Sequence, residues 1–143
     1  MSSPEEIHYS VSARLDAEEL GQLLAAAAGS AYTEAMLTRL IEGSTAYVTA
    51  RAGDRLVGFG RLLSDGAVTA YINNMAVSPD HQDRGIGGRL LDLLVETAGE
   101  VKSIYLYTDT ADAFYLRHDF RPSEKRLYVR RRDDTSSIDA PQS

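Results

Sequence analysis

The segment Gln82-Asp83-Arg84-Gly85-Ile86-Gly87-Gly88-Arg89 has the residue types and spacing that point most directly to chemistry. Three glycines in four positions let a backbone come close to a ligand. The segment opens an apolar-periodic stretch, so it ends at a helix N-terminus. Unpaired N–H groups and positive potential there favour an anion such as phosphate. Arg84 and Arg89 add local positive charge. A P-loop needs Lys and then Ser or Thr after its last glycine, but Gly88 is followed by Arg89 and Leu90. A dinucleotide fingerprint needs a third small residue, and Leu90 stands in that place. Both readings fail. A pattern Gln-x-x-Gly-x-Gly after a strand ending Val-x-Pro remains.

The elements around the segment follow from periodicity. Ile7–Val11 alternates as a short strand. Asp16 caps a helix whose stripe is Leu20, Leu23, Leu24 and Ala27, and Gly29 stops it. Thr33 caps a second helix with Met36, Leu37 and Leu40 on one face; Gly43 ends it. Ala46–Arg51, Leu56–Leu63 and Ala67–Val77 form a three-stranded antiparallel meander joined by Gly-containing turns. In the last of these strands Val68, Ala70 and Ile72 share one parity, while Met75 and Val77 have the other. A phase slip at Asn73-Asn74 predicts a β-bulge, and asparagine tolerates the backbone angles a bulge demands. The next helix buries Leu90, Leu93, Leu94, Thr97 and Ala98. A strand Ser103–Tyr107, a short helix Ala111–His118 capped by Asp109 or Thr110, and a final strand Arg126–Arg131 complete an α+β domain over residues 1–132. Residues 133–143 read as a disordered tail.

Composition narrows the function. Cysteine is absent, which excludes disulfides, thiolate nucleophiles and sulfur-ligated metal sites. The three histidines fit no metal motif; His81 and His118 are expected at the surface. A net charge of −6 argues against a general nucleic-acid binder. The chain has no apolar run of the roughly 20 residues that a membrane span needs. The N-terminal residues have no basic segment that would mark a signal peptide. The expected location is the cytoplasm. Positive charge gathers near the C-terminus, at Lys125, Arg126, Arg130, Arg131 and Arg132, and reads as a solvated edge.

Met75-Ala76-Val77-Ser78-Pro79 through Gly88 resembles motif A of the Gcn5-related N-acetyltransferases, the GNAT superfamily. Phe114-Tyr115-Leu116-Arg117-His118-Asp119-Phe120 resembles that family's later Phe-Tyr-x-x-x-Gly-Phe motif, with Asp119 in place of the glycine. The order of elements over residues 7–131 also fits, so the resemblance covers nearly the whole chain. It implies the GNAT fold, a mixed and mostly antiparallel sheet flanked by helices. Two strands, near 67–77 and 103–108, would splay apart to hold acetyl-CoA. Backbone groups of Met75, Ala76 and Val77 would meet the pantetheine arm. Gln82, Asp83, Arg84, Gly85, Ile86, Gly87, Gly88 and Arg89 would hold the pyrophosphate, with the backbone N–H groups from Arg84 to Arg89 as donors.

The implied reaction is direct attack of an amine on the thioester. It needs orientation, a polarised carbonyl and management of two protons, and no metal. A bulge N–H near Met75 or Val77 would polarise the carbonyl. Tyr115 maps onto the family's proton donor to the leaving thiolate; its alternative is packing with Phe114. Relatives often carry Glu, Asp or His on the bulged strand as base, whereas Tyr71, Ile72, Asn73 and Asn74 occupy those positions here. Asn73 or Asn74 is therefore expected to order a water, with Asp109 more naturally a helix cap. The acceptor would lie near Tyr32, at the junction of the first two helices, and at the end of the last strand. A small-molecule amine is the expected acceptor. A protein lysine or N-terminal acetyltransferase and a non-catalytic acyl-CoA-binding regulatory module are the alternatives. The segment from Gly58 to Gly88 is similar to an arylalkylamine-type subgroup. Homodimers are common in the family, and no segment here marks an interface.

Overall fold

The computed structural model describes residues 6–132. The expected disordered tail, 133–143, lies outside the described residues. Five strands form one sheet in the order β1 (Ile7–Val11), β2 (Ala46–Ala52), β3 (Arg55–Ser64), β4 (Thr69–Val77) and β5 (Ser103–Tyr105). The first four pair antiparallel, and β5 joins β4 in parallel. This is the mixed α+β arrangement expected of the GNAT fold. Helices α1 (Ala17–Ala28), α2 (Glu34–Gly43), α3 (Ile86–Ala98) and α4 (Asp112–Arg117) complete the elements. The chain divides into two compact units, one ending at Ala111 and the other beginning at Asp112.

Capping chemistry sets the helix ends. Asp16 is the N-cap of α1, and its N–H donates to the Glu19 carboxylate at 3.0 Å. Gly29 ends α1 at φ +67°. Thr33 Oγ1 accepts the Met36 N–H at 3.1 Å and starts α2. β4 begins at Thr69 instead of Ala67 because Asp65 Oδ1 accepts the N–H groups of Ala67, Val68 and Thr69. That side-chain turn occupies donors a strand would need.

The core lies on both faces of the sheet. Leu20, Leu23, Leu24, Leu37, Tyr47, Phe59 and Ala76 form one buried cluster. On the other face Leu90, Leu91 and Leu94 of α3 are fully buried. Gly58 and Gly60 flank Phe59 in β3 and face α3. A Cβ at Gly58 would meet Leu90 Cδ1 at 2.9 Å, and one at Gly60 would meet Leu94 Cδ1 at 2.8 Å. The two glycines thus let α3 sit directly on β3, which fixes where its N-terminus points.

Several expectations need correction. Leu91 is buried in α3, whereas Thr97 is exposed and Leu93 half-buried; the helix sits on the sheet rotated toward its Leu91 side. Met36 is 52% exposed, so Leu37 alone anchors that turn of α2. His81 is buried, folded into the 3-10 turn Pro79–His81. Arg126–Arg131 forms no strand, and Leu127, Tyr128 and Val129 are 68%, 84% and 60% exposed. Alternation gives a segment a preference for extended backbone, but a strand also requires a partner edge. The acceptor site therefore gains no wall from a last strand.

One ion pair ties α1 to the sheet. Arg51 of β2 forms a fork on Glu19, with Nη1–Oε1 at 2.8 Å and Nη2–Oε2 at 2.7 Å, both side chains about three-quarters buried. The Arg51 bond, together with the Asp16 N–H, holds the Glu19 carboxyl below its ordinary pKa despite opposing desolvation. A lowered folded-state pKa gives stability that is present above the unfolded value and lost as pH falls through the folded one. Glu19→Gln is expected to destabilise the fold by about 1 kcal/mol at pH 7. The gap should narrow as pH falls from 7 to 3 in urea unfolding; a gap that widens in acid contradicts the assignment.

Candidate active site

The bulge lies in β4. Across the β3–β4 ladder Arg61 faces Asn73 and Phe59 faces Ala76, so Gly60 opposes two residues, Asn74 and Met75. The extra residue is Asn74, at φ +56°. The phase slip at Asn73-Asn74 therefore marks a real bulge, with Asn74 the inserted residue. Asn74 is held on three sides. Its N–H donates to Asn73 Oδ1 at 2.8 Å, its Oδ1 accepts from Arg61 Nε at 2.9 Å, and its Nδ2 donates to the Tyr32 hydroxyl at 3.4 Å. Tyr32 in turn lines a groove of about 520 Å³ between α1 and α2, with Glu18, Gly21, Glu34 and Leu37.

The second feature is a fork in the sheet. β4 and β5 pair only at Thr69–Ser103, Ala70–Ile104 and Tyr71–Tyr105, and beyond them β4 runs on to Val77 without β5. Backbone groups of alternate residues from Ile72 to Val77 therefore face an opening instead of a ladder. The rings of Tyr71 and Tyr107 stack at 6.1 Å where the strands part. Burial first, and then the hydrogen bond with Tyr107, pushes the Tyr71 phenol up to about 12. The Tyr71 phenol therefore keeps its proton at physiological pH.

The third feature follows Val77. Ser78 N–H donates to Val57 O at 2.8 Å, which ties the strand exit to β3. The Gln82 side-chain amide donates to Val77 O at 3.3 Å and folds the loop back on the strand end. Asp83 and Gly85 both adopt left-handed backbone, at φ +62° and +81°. Alternating left- and right-handed residues turn successive N–H groups to one side, making a concave anion site. The Arg89 N–H closes the first ladder bond of α3 on Gly85 O at 3.1 Å. The open donors thus precede it, on Ile86, Gly87 and Gly88. This corrects the expectation that the Arg89 backbone N–H serves the cradle. Its guanidinium lies over the Tyr9 ring of β1 at 5.8 Å, so its charge is anchored to the sheet.

Tyr115 belongs to the second unit. Its ring packs edge-on against Phe114 at 5.0 Å and Phe120 at 5.9 Å. Burial pushes its phenol above 10. Asp119, at φ +68°, ends the turn after α4, and Phe120 N–H donates to Tyr115 O at 3.1 Å. A glycine would hold that conformation without strain, and aspartate holds it at some cost. Asp109 does not take the capping role expected of it. Thr108 Oγ1 accepts the Ala111 N–H at 3.1 Å just before α4. No group of His, Asp and Glu among the described residues has the geometry to hold a metal ion.

Sequence reasoning missed one residue in this region. Arg61 stands half-buried in β3, directly opposite Asn73. Its signal was a basic residue sharing the parity of Phe59 in an otherwise apolar strand.

The family described as acetyltransferase (GNAT) domain matches residues 42–122, more than half of the chain. The chain belongs to the GNAT acetyltransferases. This is a family of N-acetyltransferase enzymes, and the fork, bulge and cradle described above lie within the matched region. A mycothiol acetyltransferase from Parafrankia sp. (strain EAN1pec) is 33% identical over 94 residues. That alignment covers 64% of this chain and 29% of the relative, so the chain matches under a third of that protein's length. A GNAT-family acetyltransferase from Streptococcus pneumoniae TIGR4 superposes with a TM-score of 0.75 at 23% identity, covering 88% of this chain and 99% of that one. A ribosomal-protein-alanine N-acetyltransferase from Brucella melitensis biovar Abortus 2308 gives 0.66 at 21% identity, covering 88% and 99%. These two show a shared fold. No helix among the described residues is long and apolar enough to cross a membrane.

Proposed function

We propose that residues 1–132 act as one cytoplasmic acetyltransferase domain that moves an acetyl group from acetyl-CoA to the primary amine of a small molecule. The observation that carries this reading is the fork. β4 loses its β5 partner after Tyr71, just before the bulge, within a chain of the GNAT family. The residues present fit acetyl-CoA. The left-handed turn at Asp83 and Gly85 and the N–H groups of Ile86, Gly87 and Gly88 suit a pyrophosphate. Arg84 adds charge from the same turn, and Gln82 holds the turn against Val77. Backbone groups of Met75, Ala76 and Val77 offer an amide-bearing arm the hydrogen bonds that β5 does not make.

When bound, acetyl-CoA supplies the thioester carbonyl that an amine attacks. Asn74 is held by Arg61 and Tyr32, so its amide is a fixed polar group that can orient an amine or its water. A bulge N–H at Met75 or Val77 polarises the thioester oxygen. Tyr115 donates the proton taken by the leaving thiolate. Tyr71, Ile72, Asn73 and Asn74 include no base at neutral pH, so the amine proton leaves through water.

The test is thiol release from acetyl-CoA across aryl amines, polyamines, amino acids and peptides. Release with small amines supports the reading. Release with peptides alone would make the protein a protein acetyltransferase. A thermal shift with acetyl-CoA but no release with any amine would leave an acyl-CoA-binding module.

A further inference from the structure

Arg61 is a half-buried cation with no carboxylate counter-charge among the described residues. None of the ion pairs among the described residues involves it. Burial lowers its pKa, opposed by the nearby phenols of Tyr32 and Tyr71. Arg51, on β2 of the same sheet, shows the usual solution: a carboxylate fork. A chain with 21 Asp and Glu could have supplied one for Arg61 as well. A guanidinium removed from water without a partner is costly. Here Nε is committed to Asn74 Oδ1, and no hydrogen bond among the described residues uses the two Nη groups. These are the paired donors that match a carboxylate.

We infer that Arg61 anchors a carboxylate of the acceptor, so that the amine acetylated by this protein belongs to an amino acid or a similar small amino carboxylate. The inference rests on the reading of the chain as an N-acetyltransferase and adds the substrate class. Position supports it. Arg61 opposes Asn73, beside the bulge where the proposed reading sets the thioester carbonyl. Asn73 lies four residues before the end of β4 at Val77, about 13 Å at roughly 3.3 Å per residue. Arg61 is thus well separated from the pyrophosphate cradle. Charge supports it too: one guanidinium balances one carboxylate and leaves a phosphate dianion half-neutralised. Asn74 joins Arg61 to Tyr32, so the anchor sits beside the α1–α2 groove through which a side chain of the acceptor can extend. In the transfer the amine nitrogen bonds to the carbonyl carbon and the carbon–sulfur bond breaks. One amine proton leaves, the thiolate takes one, and the carboxylate is unchanged.

The experiment compares amino acids with their decarboxylated amines, for example phenylalanine with phenethylamine and arginine with agmatine, by thiol release from acetyl-CoA. Wild type is expected to favour the carboxylate-bearing member by about 10- to 100-fold in kcat/KM, mostly through KM. Arg61→Gln should bring the ratio close to one, and Arg61→Lys should retain part of it. Equal use of both members by wild type overturns the inference and leaves the acetyltransferase reading intact. A uniform loss in Arg61→Gln, with the ratio unchanged, also overturns it and reduces Arg61 to a support for the bulge. No release with any amine removes the acetyltransferase reading and this inference together.

Discussion

Tyr115→Phe is expected to lower kcat by about 10²- to 10³-fold, with acetyl-CoA affinity and melting temperature close to those of wild type. The leaving group is a thiolate with a pKa near 8.5, and a phenol is the acid that α4 supplies at the family's donor position. Burial between Phe114 and Phe120 raises the Tyr115 pKa, so the group carries its proton throughout the physiological range. The sign of the pH dependence follows. Loss of rate from deprotonation of Tyr115 should come at higher pH than for an ordinary tyrosine, and the variant should lack that alkaline limb. Phenylalanine keeps both aromatic contacts and removes only the hydroxyl, which separates acid catalysis from packing. Calorimetry with acetyl-CoA and a thermal melt provide the controls. Wild-type kcat in Tyr115→Phe assigns the ring to packing alone.

The second large effect concerns the cradle. Gly87→Phe is expected to weaken acetyl-CoA binding by more than about 100-fold, since charge-assisted hydrogen bonds to the pyrophosphate are each worth roughly 1.5–3 kcal/mol and a side chain there blocks several. Gly87 lies in the first turn of α3, and its N–H precedes the first ladder bond at Arg89. A residue without a side chain there leaves the space in front of those donors open, as a pyrophosphate site requires. Replacing a helical glycine by another residue costs the helix nothing and can stabilise it by up to about 1 kcal/mol. The variant should therefore melt at or above the wild-type temperature while losing ligand. Wild-type affinity would move the anion site away from this turn.

How far the sequence shows this molecule depends on the range of the interaction involved. Caps at Asp16 and Thr33, the stop at Gly29, and the turn at Asp65 are local. Each involves a side chain and a backbone group a few residues apart, so composition and spacing reveal them. The bulge was legible for a related reason, since an inserted residue changes parity along a single strand. The left-handed Asp119 was legible through the glycine it replaces in the family motif.

Elsewhere the pattern was read correctly and the conclusion still failed. Arg126–Arg131 alternates as a strand should, yet no partner completes it. His81, which a polar loop would leave in water, is buried by a 3-10 turn. The face α3 presents to the sheet is set by two glycines on another strand, whose missing side chains let Leu90 and Leu94 descend.

The sequence by itself thus determined the family, the order of the elements as far as α4, the bulged strand and the glycine turn, because each is written in residues that are close along the chain. Only the tertiary structure decided where β4 and β5 part, that Arg89 is drawn to Tyr9, and that Arg61 meets Asn74 and, among the described residues, no carboxylate. Those outcomes depend on register between strands. A register is a count taken across two segments at once, and a single extra residue at Asn74 determines which side chains stand beside Arg61.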